Sequence, residues 1–191
     1  MKTTNILVAL LVMLSLTISA TAMEYKSITR EDGVSAYASW SDTVAEGNEY
    51  TYLGVMKTDK VTDIYVNICK EDVSGNFNCM YGFAFTQEDV FTMDRRLDSA
   101  TLSSVNVDLF NSSTGIVEKT VAIKADWSGE GDVTKGSSHY ISKFGDFTYK
   151  FSDSVSFRQA TATGTMDDNE LGTSVFGEMD KFKRASISME K

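Results

Sequence analysis

Apolar and polar side chains alternate with a period of two along most of the chain, the pattern of strands that bury one face. Val34, Ala36, Ala38 and Trp40 fall on one phase, with Ser35, Tyr37 and Ser39 on the other. After Gly47-Asn48, which reads as a turn, 50–56 continues as a strand. Ile64, Val66 and Ile68 alternate with Tyr65, Asn67 and Cys69. Beyond Gly75-Asn76, Phe77, Cys79, Tyr81, Phe83 and Phe85 share a phase, so 64–85 predicts a hairpin. A short helical turn is expected only at 87–94.

A long strand is predicted over 97–110, with a slip of phase at Ser103-Ser104 that reads as a β-bulge or a bend. A turn at 111–115 leads into a strand over 116–127, where Val121, Ile123, Ala125 and Trp127 share a face. The segment 128–138 reads as a Gly-rich acidic loop, and 167–170 as a turn between the last two strands. Many short strands joined by Gly and Asn turns predict an all-β fold. The expected form is an antiparallel β-sandwich, immunoglobulin-like or jelly-roll-like, with Greek-key-type connections. The alternative is a closed antiparallel β-barrel.

The beginning of the chain has a different character. Lys2, an apolar run over 6–16 and the exit Ala20-Thr21-Ala22 together read as a secretory signal peptide, cleaved after Ala22. The apolar run is too short for a spanning helix. The expected organisation is therefore a signal at 1–22 and one all-β domain at 23–191, exported to the extracellular space, or to the periplasm where the host has an outer membrane. No transmembrane segment is expected after cleavage.

Export changes the reading of the two cysteines. Cys69 and Cys79 flank the 73–76 turn and fall opposite each other in the hairpin, so a disulfide is expected in an oxidising compartment. Asn111-Ser112-Ser113 is an N-x-[ST] acceptor in a predicted turn, which makes Asn111 a glycosylation candidate. The formal charge of −9 argues against nucleic acid as a partner and fits solubility, cation binding or a basic partner.

Candidate chemistry is sparse. His139 is the single histidine; Ser137 and Ser138 stand beside it, but adjacency in sequence is not triad geometry and there is no G-x-S-x-G elbow, so it reads as a surface residue of a polar loop. The oxygen-rich groups Asp126, Glu130, Asp132 and Asp167, Asp168 suit Ca²⁺, the one ion these loops suggest, although solvated acidic turns account for them as well. No catalytic or organic-cofactor motif is present. Among the aromatics, Trp40, Trp127, Tyr50, Tyr52 and Tyr81 could build a flat platform for a sugar ring or a partner; the phase assigns Trp40 and Trp127 to the core, while Tyr37 and Tyr65 lie on the polar phase and are the better candidates. Arg95-Arg96 and 181–184 are small basic groups read as solvated.

The function expected from these features is a secreted non-enzymatic module that binds a protein or glycan at the cell exterior, or builds surface structure. A secreted carboxylate-based hydrolase of the glycosidase type is the alternative, and a Ca²⁺-dependent adhesin a further one. An enzyme requires a cleft with facing carboxylates; a binding module requires an exposed surface bearing aromatics.

Overall fold

The computed structural model describes residues 25–45 and 47–190; the expected signal peptide lies outside them. The described chain forms ten strands: β1 (Tyr25–Val44), β2 (Gly47–Thr58), β3 (Thr62–Asp72), β4 (Phe77–Thr86), β5 (Phe91–Met93), β6 (Ser99–Asn111), β7 (Val117–Phe144), β8 (Phe147–Met166), β9 (Asn169–Thr173) and β10 (Phe176–Glu190). No described residue is helical. All ladders are antiparallel, as the alternation predicts.

Hydrogen bonding runs β1-β2-β3-β4-β6-β7-β8-β10 and returns to β1. Of the two architectures expected, the pairing circuit is the closed one. Short β5 lies along β6, and β9 folds back on β8. The expected Greek-key crossings are replaced by a meander, because tight turns send each strand back beside the one before it. Gly75 (φ 81°) closes β3–β4, and Gly145 (φ 58°) joins Phe144 to its partner Phe147. Asp167 and Asp168 (φ 51° and 64°) make the two-residue turn between Met166 and Asn169. A pair of positive φ values is what such a hairpin turn demands.

One phase of each strand fills the ring. Ala36, Ala38, Trp40, Leu53, Val55, Ile64, Val66, Ile123 and Trp127 are buried. Eight strands enclose an interior that side chains can just fill, which is why small alanines alternate with two tryptophans. Trp127 donates its indole N–H to the Tyr37 carbonyl at 2.9 Å. The segment 87–94 contributes β5 instead of a helical turn, because Phe91 is drawn fully into the interior and packs edge-on against Trp127.

The phase slip at Ser103-Ser104 is a register shift between Leu102 and Val105. The expected loop at 128–138 is instead the middle of β7. Glu130 pairs with Gln159 and Thr134 with Phe157, with a bulge between them at Gly131 (φ 64°). The glycines and acids there serve a bulge and an exposed ladder. The Gly47-Asn48 turn falls slightly earlier, since Gly47 already pairs with Val44 and Asp72.

The bulge marks where the ring opens. β2 begins to pair with β1 at Gly33, and β6 pairing ends at Ser128 of β7. Residues 25–32, 181–190, 147–157 and 134–144 therefore continue as an open four-stranded sheet in the order β1-β10-β8-β7. Both faces of this extension meet solvent.

Candidate functional site

The outward phase of β1 to β6 carries a continuous ladder of six aromatic rings. It runs Tyr37, Tyr52, Tyr65, Phe83, Tyr81, Phe110, with successive centroids 4.9 to 6.4 Å apart. Strand register explains the ladder. Tyr52, Asn67, Tyr81 and Phe110 stand in one cross-strand row, and Tyr37, Gly54, Tyr65 and Phe83 in the next. Cross-strand neighbours on one face lie close enough for aromatic rings to pack. Gly54 leaves a gap in its row: a Cβ there would sit 3.2 Å from the Tyr37 ring, which leans into that space to stack on Tyr52.

The rings are half-buried, and Phe83 is 52% exposed. They lie over no core of their own. Four inter-strand spacings give the wall a span of about 19 Å. The Cys69–Cys79 disulfide is formed, with its Cα atoms 4.1 Å apart, and occupies the next outward row. It links the strands that carry Tyr65, Tyr81 and Phe83 and so fixes their mutual height.

Polar groups edge the wall. The Asn67 amide donates to the Tyr65 hydroxyl at 3.0 Å, which keeps its own proton to donate elsewhere. The Tyr50 hydroxyl donates to Glu71 at 2.9 Å, and this bond raises the Tyr50 pKa. Burial, followed by the neighbouring Tyr37 and Tyr65, raises that of Tyr52. Glu178 faces Tyr37, and Asp180 faces Ser35, on the same outward phase of β10. Burial, and next the charge of Glu178, push the Asp180 carboxyl up to about 6, while the Ser35 hydroxyl bonded to it pulls the other way.

The residues singled out in sequence fall as follows. Tyr37 and Tyr65 both stand in the ladder, while Trp40 and Trp127 are inside the ring. Tyr81 and Phe83, which share a phase in the sequence, face out together. The inward phase of β4 is Met80, Gly82 and Ala84, and at its centre there is no room for a side chain: a Cβ on Gly82 would meet the Asp108 carbonyl at 2.3 Å.

Asp126 accepts from Thr101 at 2.8 Å, and Asp167 from the Ala122 amide at 2.9 Å. Asp168 completes the β8–β9 turn, Glu130 lies in the β7–β8 ladder and Asp132 in the bulge. Among the described residues, no three His, Cys, Asp or Glu side chains gather into a metal set. His139 is exposed and pairs with Ser152; the alternation puts Ser138 on the opposite face. Asn111 is buried, with its side-chain amide nitrogen donating to Glu118 at 2.7 Å. Its oxygen accepts from the Ser113 and Thr114 amides. No described helix is long and apolar enough to cross a membrane.

Comparison with known protein families, with curated proteins and with solved structures finds no match to this chain.

Proposed function

We propose that the protein is an exported, non-enzymatic binding module whose aromatic wall takes up a glycan at the cell exterior. The observation that carries this reading is the unbroken six-ring ladder on the outer side of a ring whose interior is already filled. Half-exposed rings gain by covering their faces, and the C–H face of a sugar ring is a suitable cover. Tyrosine hydroxyls, Asn67 and Glu178 at the edges would then meet sugar hydroxyls. A wall built on strands and pinned by a disulfide is preorganised, which lowers the ordering cost of binding.

At the aromatic wall, the carboxylate-hydrolase alternative would have to use Glu178 and Asp180. They stand two residues apart on one strand of a convex wall and do not face each other. A recess of about 400 Å³ beside β9 holds Asp126 and Glu170 together with Lys124, and Asp126 is already bonded to Thr101, so binding remains the better reading.

The test is a screen of neutral oligosaccharides followed by titration calorimetry on wild type, Tyr65→Ala and Tyr81→Ala. Each substitution is expected to weaken binding at least about tenfold, the scale of losing one stacked ring. Thermal unfolding should still show a cooperative barrel. Absence of any neutral-glycan binding, or unchanged affinity in both variants, would remove the proposal.

A further inference from the structure

On one face of the four-stranded extension the charged groups are almost all cations, in a chain of formal charge −9; Ile28, Ile141 and Ile187 cross the face between them. Arg95, Arg96, Lys135, Lys181 and Lys183 line a recess of about 480 Å³, together with Leu97, Val133, Ser154 and Ser156; every charged group lining it is positive. Two basic segments about ninety residues apart in sequence (95–96 and 181–183) converge there. Alternation places Lys26, Arg30, Lys143 and Lys150 farther along the same face. Together these are nine of the chain's 18 lysines and arginines. His139 stands among them, across from Ser152.

On this face of the extension the one carboxylate is Asp32. It lies 3.4 Å from Lys183, with both side chains 65% exposed, so water largely screens the pair. The other four cations of the recess have no such neighbour among the described ion pairs.

Backbone geometry holds the two arginines over the recess. Leu97 adopts φ 60°, a conformation that disfavours a leucine, and is only 2% exposed because it is seated at the end of the ring. Its amide bonds to the Asp94 carbonyl at 3.1 Å, and the Asp94 carboxylate accepts from the Arg96 amide at 2.7 Å. Burial of Leu97 thus offsets a strained turn, and that turn presents Arg95 and Arg96 to the sheet beneath. Across the floor, Lys181, Ser156 and Lys135 form one row, and Lys183, Ser154 and Ser137 the next. Hydroxyl donors therefore alternate with ammonium groups.

We propose that this basic face is a second binding site, distinct from the aromatic wall, for a linear polyanionic glycan bearing sulfate or carboxylate groups. An anion in the recess would be met by guanidinium forks above and by ammonium and hydroxyl groups below, the donor set that suits sulfate and carboxylate oxygens. From the row of Lys181 to the row of Lys143 the face extends about 27 Å, enough for several charged sugars in line. A bilayer plane or a nucleic-acid duplex would also meet the acidic remainder of the molecule, which repels both.

The probes are a sulfated hexasaccharide and an oligogalacturonate, titrated into wild type, Lys135→Gln/Lys181→Gln/Lys183→Gln, Arg95→Gln/Arg96→Gln, and a charge-matched control, Lys60→Gln/Lys119→Gln/Lys124→Gln. Wild-type binding of at least one probe is expected, weakening about tenfold or more between about 50 mM and about 300 mM salt. Each recess variant should lose about tenfold or more in affinity with its melting temperature retained, and the control less than about twofold. Failure of wild type to bind either probe would overturn the proposal, as would equal losses in the recess and control variants. So would tighter binding to single-stranded DNA of equal charge or to phosphatidylserine vesicles. Because Tyr65→Ala is expected to spare this site, its failure and failure of the aromatic wall are separable.

Discussion

Replacing Asp180 with Asn separates the electrostatics of the β10 edge from its packing, since the two side chains have nearly the same shape. In the folded protein the carboxyl is pushed from its ordinary value of 3.8 to about 6, chiefly by burial and then by Glu178. Between these two values the native state holds more protons than the unfolded chain, so this group's contribution to stability falls as pH rises. Its penalty is absent below about pH 4 and complete above about pH 7. The full interval corresponds to about 3 kcal/mol. Water reaches a half-buried carboxyl, and this screening reduces the expected effect to about 1–2 kcal/mol. Asp180→Asn should therefore match wild type near pH 4 and exceed its stability by about 1–2 kcal/mol near pH 8, a rise in Tm of several degrees for a domain of this size. Urea unfolding of both proteins across that pH range measures the difference directly. A difference that does not vary with pH, or an Asn variant less stable than wild type at pH 8, would refute the argument.

Two further expectations concern the scaffold. Phe91→Ala removes a fully buried ring that reaches the interior from β5 and meets Trp127; a loss of about 3–5 kcal/mol in urea unfolding is expected, and a loss under about 1 kcal/mol would show that β5 does not seal the barrel. Replacing Cys69 and Cys79 together with Ser should lower stability by about 2–3 kcal/mol while leaving the β-rich circular dichroism intact, because the bridge lies outside the core; loss of the β signal would contradict that placement.

Periodicity in the sequence was enough to read the all-β character, the β3–β4 hairpin, the cysteine pairing and the slip at Ser103-Ser104. Each of these follows from local chemistry: alternation, turn residues and spacing. The inner and outer sides of β4 were not readable in this way. Both phases of β4 carry apolar residues, and the close approach of Gly82 to β6, a long-range contact that spacing does not encode, decides which one faces in. Likewise 128–138 has a loop's composition but a strand's conformation, because β8 supplies a partner across the bulge. Tyr37 and Tyr65 were recognisable as platform residues from their polar phase, whereas Phe83 and Phe110 were not. The basic face is not encoded in local spacing for a related reason. Arg95-Arg96 and Lys181-Lys183 are unremarkable pairs until the chain folds them over one another.

The opening of the ring at the Gly131 bulge divides β7 into two mechanical regimes. From Ile123 to Ser128 the strand has a partner on both sides and a packed interior beneath; from Thr134 to Phe144 one flank is bare and both faces are wet. A single strand thus passes from a stiff tier to a pliant one within a few residues, and local opening becomes cheaper along its length. The aromatic wall belongs to the stiff tier and meets its ligand with a fixed shape. The lysines of the pliant tier can shift with an irregular chain, at the expense of entropy lost when they settle.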